Sequence, residues 1–218
     1  MAEINDPIKY TSDQLKIIKD KLNDPNFNHN CWSSEDLEHL RKSVRDYYRI
    51  KQNGKCAYCQ NNISLESAAN CQVEHIVPKS RVLKFIFEPK NLCVICADCN
   101  QIKRSKEILG KEEDTTANKK PLRYPKSSNS FLIVHPHFDT YNEHIEKFGQ
   151  YFFDITAKGH FTIGVCVLNR RLREFGWEEQ IIDENIIESL MRNYMENPDK
   201  VQRDRALRSL IGYVTRYN

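Results

Sequence analysis

The chain has 218 residues, a net charge of +3, 29% charged residues and 39% hydrophobic ones, which suits a folded chain with a core of its own. Its longest apolar stretch, Phe161 to Leu168, is far shorter than the roughly twenty residues a bilayer-spanning helix needs. The opening MAEINDPIKY has no basic start followed by an apolar block, so no membrane association and a cytoplasmic location are expected.

In chain order, Ser12 is expected to cap a short helix carrying Leu15, Ile18 and Leu22, ended by the Asn- and Pro-containing stretch 25–30. Ser33 or Ser34 then caps a longer helix whose Leu37, Leu40, Val44 and Tyr47 recur three or four apart as one buried stripe. Asn53-Gly54 ends it. Short strands are expected at Gln72–Ile76 and Leu92–Ile95, and a polar helix opened by Asp98 runs through Asn100 to Lys106. Residues 110–130 are polar, hold two prolines and read as a loop. The apolar run 131–134 and residues 150–156 suggest further strands. Thr162 is expected to begin a helix reaching about Asn169, and helical spacing dominates from Arg171 on (Trp177, Ile181, Ile182, Ile186, Leu190), with Pro198 setting off a last helix. The expected class is α+β: a small cysteine-bearing centre wrapped by N- and C-terminal helices. The regions are 1–55 (helical), 56–106 (core), 107–130 (linker) and 131–218 (mixed, then mainly helical).

Eight cysteines are present, and residues 56–111 hold eight Lys and Arg against five Asp and Glu, so the positive surplus sits where the cysteines cluster. Cys56-x2-Cys59 and Cys96-x2-Cys99 are two knuckles suited to a tetrahedral Zn²⁺, each turn presenting two thiolates. Four thiolates leave no open position for substrate, so this zinc is expected to be structural. Cys93 is a possible competitor as ligand; Cys31, Cys71 and Cys166 read as small buried hydrophobes.

Between the knuckles lie Val73-Glu74-His75-Ile76-Val77-Pro78 and Asn91-Leu92, and the second knuckle runs on as Cys99-Asn100-Gln101-Ile102-Lys103. This order resembles the HNH, or ββα-metal, endonuclease family over about residues 56–106. The resemblance implies His75 as general base, Glu74 and Asn100 as oxygen ligands of a catalytic Mg²⁺ or Mn²⁺, and Asn91 as the residue bracing the loop that orients the base. Where the family often has Asp and His, this chain has Glu74 and Asn100; both are oxygen donors, and Asn100 cannot act as an acid. Lys79, Arg81, Lys103 and Arg104 are candidate phosphate contacts. The competing reading is a non-catalytic zinc ribbon that binds nucleic acid or protein. The run His135-Pro136-His137-Phe138-Asp139 with His144 reads as a structural turn.

The rest of the chain, with its His-Pro-x-x-Asp stretch, Asn142-Glu143-His144 and Leu168-Asn169-Arg170-Arg171, looks like the HNH subunit of Septu-type bacterial anti-phage systems, including retron-associated ones. That resemblance implies an ABC/SMC-like ATPase partner. It implies helices at 1–50 and 171–218 as candidate docking surfaces and, in a retron setting, a reverse transcriptase with its small DNA. The target, DNA or structured RNA such as tRNA, is left open.

Overall fold

A computed structural model describes residues 3–108, 122–175 and 184–216. The elements are α1 (Ser12–Asn23), α2 (Glu38–Lys51), β1 (Gln72–His75), β2 (Leu92–Ile95), α3 (Ala97–Ile108), β3 (Ile145–Phe148), β4 (Tyr151–Asp154), α4 (Ala157–Cys166), α5 (Arg170–Phe175), α6 (Glu184–Glu196) and α7 (Lys200–Arg216). Helices thus combine with two small sheets, β1–β2 and β3–β4, in an α+β fold. No described helix is long and apolar enough to cross a membrane. By contact density the chain divides into a unit of residues 1–146 with 153–168 and a unit of 147–152 with 169–218.

Several elements differ from the expectation for identifiable reasons. The cap of α1 is Thr11, not Ser12: its hydroxyl accepts from the Gln14 amide at 3.3 Å while Gln14 Oε1 accepts from the Thr11 amide at 3.0 Å. The segment after Asn28 enters α2 through two 3-10 turns, His29–Ser33 and Glu35–Leu37, so the helix starts later. Its buried stripe is Leu37, Leu40, Val44 and Tyr48 rather than Tyr47. Residues 131–134 form no strand: Phe131, Ile133 and Val134 are buried, and the Val134 amide donates to Thr162 Oγ1 at 2.8 Å instead of to a ladder. Thr162 consequently lies inside α4, whose cap is Thr156. Trp177, Ile181 and Ile182 lie outside the described residues.

In the larger unit, α2 is pinned to β2. Gln52 is fully buried; its Oε1 accepts from the Val94 amide at 2.7 Å and its Nε2 donates to Val94 O and Lys55 O, each at 2.8 Å. Tyr48 Oη donates to Pro89 O at 2.6 Å. Ile18, Phe27, Trp32, Leu37 and Leu40 pack with Ile86 and Phe87, so the N-terminal helices and the loop after β1 share one core.

The His135–Asp139 run is a turn built into this core. His135 Nδ1 accepts from the His137 amide at 3.2 Å, which leaves the ring proton on Nε2; that proton goes to Tyr124 Oη at 2.8 Å, and Tyr124 donates onward to Lys90 O at 3.0 Å. His137 Nε2 donates to Leu92 O at 2.8 Å, and Asp139 takes Lys158 Nζ at 2.9 Å. In the smaller unit α6 and α7 pack on each other, separated by Pro198.

Burial holds the His137 imidazole down to about 4 and, with the charges of His137 and Lys158, holds His135 well below the ordinary value. Below about pH 6.5 the unfolded imidazoles take up protons that the folded ones refuse, so stability falls as pH falls. For His137 the loss runs from about pH 6.5 to about 4 and amounts to about 3 kcal/mol at 1.36 kcal/mol per pH unit. Denaturant midpoints should therefore decline steadily across that window, and His137→Asn should flatten the decline; a midpoint independent of pH there would refute the buried neutral pair.

Candidate functional site

The two cysteine knuckles meet because the chain turns sharply on both sides of the first one. Asn53 and Gly54 both have positive φ, 52° and 65°, a left-handed turn that glycine adopts without penalty. The Ala57 amide then donates to Val94 O at 3.1 Å, tying the first knuckle to β2. The second knuckle joins the end of β2 to the first turn of α3. The ligand atoms of Cys56, Cys59, Cys96 and Cys99 all lie within 4.8 Å of one another, and all four residues are buried.

Thiolates about 2.3 Å from a central zinc at tetrahedral angles sit about 3.8 Å apart, and the Cys59 and Cys96 sulfurs are 3.7 Å apart. Hydrogen bonds among the four sulfurs hold the Cys96 and Cys59 thiols below the ordinary range, while burial and those same bonds push Cys56 and Cys99 above it. This donor set fits Zn²⁺. Cys93 is outside the cluster; it is buried on β2 opposite Glu74. Cys71 and Cys166 are buried hydrophobes as expected, and Cys31 is only half-buried.

β1 and β2 pair antiparallel with Glu74 opposite Cys93 and His75 opposite Leu92. Against this hairpin lies a cleft of about 180 Å³. Its lining comes from β1 (Gln72, Glu74, His75), the following loop (Lys79), α3 (Asn100, Lys103) and the N-terminal region (Trp32, Arg41, Arg45). His75 is 5% exposed. Its Nε2 faces Ile86 O at 3.0 Å; a carbonyl only accepts, so that nitrogen carries the hydrogen and Nδ1 keeps its lone pair. The Trp32 ring meets His75 edge-on with centroids 4.6 Å apart. Burial, reinforced by the Lys79 charge, pushes the imidazole down to about 3, so at neutral pH it is uncharged.

Asn91 does not line the cleft. It is fully buried, donates from Nδ2 to Val77 O at 3.1 Å and to Phe85 O at 3.0 Å, and accepts from the Val77 amide at 2.7 Å. It clamps both ends of the loop after β1, and residue 86 of that loop is the acceptor for His75.

Glu74 is 6% exposed, and its Oε1 takes both Tyr58 Oη at 3.3 Å and Lys103 Nζ. Asn100 donates from Nδ2 to Gln72 Oε1. Among the described residues, Glu74 Oε2 and Asn100 Oδ1 take no hydrogen bond. Two oxygen donors in one cleft are a donor set that fits a hard divalent cation.

The four expected cationic contacts separate. Lys79 lines the cleft. Arg81 is exposed and outside the lining. Lys103 is buried rather than solvated, ion-paired with Glu74 and donating to His75 O at 3.1 Å and Ile76 O at 3.2 Å. The side chain of Arg104 lies outside the described residues. Sequence reasoning passed over Trp32, Tyr58, Arg41 and Arg45; the signal for the arginines is their spacing of four on α2, one place after the buried Leu40 and Val44.

Cys99→Ser should cost the domain its metal and its fold together, since zinc binding in such sites contributes about 10–16 kcal/mol of folding free energy. Metal content and circular dichroism on the purified variant test this; a folded, zinc-free Cys99→Ser protein would overturn the structural-zinc reading.

The family model described as HNH endonuclease matches residues 56–107. Over 166 residues the chain is 25% identical to the Septu protein PtuB of Bacillus thuringiensis, covering 76% of this chain and 52% of that protein. The chain thus spans about half the length of the curated relative it matches. No solved structure matches. The knuckles, the hairpin with its buried histidine and the helix that follows coincide with residues 56–107, the segment that matches the HNH endonuclease model, within a chain similar to a Septu protein.

Proposed function

We propose that this chain is a metal-dependent endonuclease that hydrolyses phosphodiester bonds of nucleic acid, with His75 as general base. The observation that carries the reading is the tautomer of His75: a neutral imidazole anchored through Nε2, with its Nδ1 lone pair available to take a proton from water. Asn91 is a positioning residue that holds the Phe85–Ile86 backbone and, through it, the ring. Glu74 and Asn100 are the residues we assign to a hard divalent ion, Mg²⁺ or Mn²⁺, which when bound supplies charge neutralisation at the phosphate and the leaving oxygen. Lys103 pairs with Glu74, and Lys79 offers a donor to a phosphate oxygen. Arg81 and Arg104 are assigned to backbone phosphates farther along the polymer. Activation of water needs no 2′-hydroxyl, so DNA and structured RNA such as tRNA are both chemically open as targets.

The likeness to a Septu protein supports placing the chain in an anti-phage defence complex. Its partner would be an ABC/SMC-like ATPase, joined in a retron setting by the reverse transcriptase and its small DNA. Ile186, Met191, Met195 and Val201 of α6 and α7 are exposed, and they are the surface we assign to docking the ATPase. Residues 1–55 would complete the nuclease centre, and the segment around 107–130 would link it to the C-terminal region.

His75→Ala should lower cleavage by about 10²–10⁴-fold while leaving zinc content and fold intact. The assay sets plasmid DNA beside total cellular RNA with Mg²⁺ or Mn²⁺, with and without the neighbouring ATPase. Undiminished cleavage by a nuclease-free His75→Ala preparation would reject the mechanism, and a folded wild-type chain inert in every lane would favour the zinc-ribbon binder. Met191→Glu should abolish co-purification with the ATPase and leave the ATPase-free reaction unchanged.

A further inference from the structure

α2 presents three arginines at intervals of four, Arg41, Arg45 and Arg49, and their surroundings differ. Arg41 donates to Trp32 O and Ser34 O, each at 2.6 Å, and so holds the segment whose tryptophan abuts His75. Arg49 pairs with Asp46 at 3.1 Å and donates from Nε to Cys71 Sγ at 3.4 Å. Arg45 has neither: its Nε is buried with no acceptor, and among the described residues it makes no ion pair.

A buried charged donor left without an acceptor is rare in folded proteins and destabilising where it occurs. Here it stands in the wall of the cleft that holds His75, Glu74 and Asn100. The charges in that lining make the missing acceptor's chemistry plain. Glu74, the cleft's carboxylate, is already paired with Lys103, while Arg41, Arg45 and Lys79 add positive charge. An anion with several acceptor oxygens would complete the site, and a guanidinium fork matches a phosphodiester in geometry as well as charge.

We propose that Arg45, on a helix outside the HNH segment, is a substrate-binding residue that grips the phosphate backbone of the nucleic acid beside the scissile bond. This rests on the nuclease reading above and extends the substrate site onto the N-terminal region. Arg41 acts differently, as a positioning residue that fixes the Trp32 edge of the cleft.

The test is equilibrium binding by fluorescence anisotropy, in a His75→Ala background so that nothing is cut, using labelled duplex DNA and a labelled RNA hairpin across a salt series. Each phosphate contact contributes about 0.9 to the slope of log K against log salt for duplex DNA and about 0.7 for single strands. Adding Arg45→Ala should weaken binding and reduce that slope by about one contact's worth. Arg45→Lys should restore the slope but only part of the affinity, because the charge returns without the fork. The thermal midpoint should hold or rise in Arg45→Ala, since an unsatisfied buried donor is removed. Unchanged affinity and slope, or a fallen midpoint with the slope intact, would overturn the assignment and mark Arg45 as structural. The two levels separate cleanly: the nuclease reading is judged by cleavage in the single His75→Ala protein, the Arg45 assignment by the salt slope.

Discussion

A hairpin of two four-residue strands is marginal in water, yet β1 carries both Glu74 and His75. What holds it is the meeting of four sulfurs at its far end. Cys96 and Cys99 close the exit of β2 into α3, Cys56 and Cys59 bring the earlier segment against it, and the Ala57 amide bonds to Val94. With β2 fixed, the antiparallel register sets which residue of β1 lies opposite Leu92, and that residue is His75. The sulfurs thereby decide where His75 stands.

The electrostatics of the cleft follow from that placement. Burying the Glu74 side chain without a partner would be costly, and Lys103 offsets this from the second turn of α3 while its remaining donors satisfy the carbonyls of residues 75 and 76. The same burial keeps His75 neutral. One cleft therefore holds a lysine-paired carboxylate and an uncharged imidazole on adjacent residues.

Much of this is legible in the sequence where function rests on local spacing. Two knuckles, Glu-His on a strand and Asn at the start of a helix are short-range patterns, and the structure gathers them as the spacing suggests. The cleft's other wall is legible only after folding. Lys103 reads as one of several surface cations until α3 packs against β1. Arg41 and Arg45 read as the solvated side of an amphipathic helix until the loop after β1 closes over Trp32. Local competition explains the fold-level differences. Thr156 outcompetes Thr162 for the cap of α4 because Thr162 is needed inside, donating to Lys158 O and accepting from Val134. The apolar run 131–134 stays out of a sheet because its amide finds that hydroxyl instead of a strand. β3 is not legible because IEKF sets two adjacent charges between its two apolar residues and so lacks the period-two alternation of a strand.

The bond from Gln52 to Val94 bears on how portable the segment 56–107 is. A fragment cut at Cys56 would keep every residue of the HNH segment but strip β2 of the side chain that accepts its Val94 amide, orphaning a buried donor at about 1–3 kcal/mol. It would also uncover the apolar strand β2, against which α2 packs, and lose Trp32 from beside His75. The smallest graftable module in this chain therefore begins before α2, well upstream of residue 56, where the family model begins.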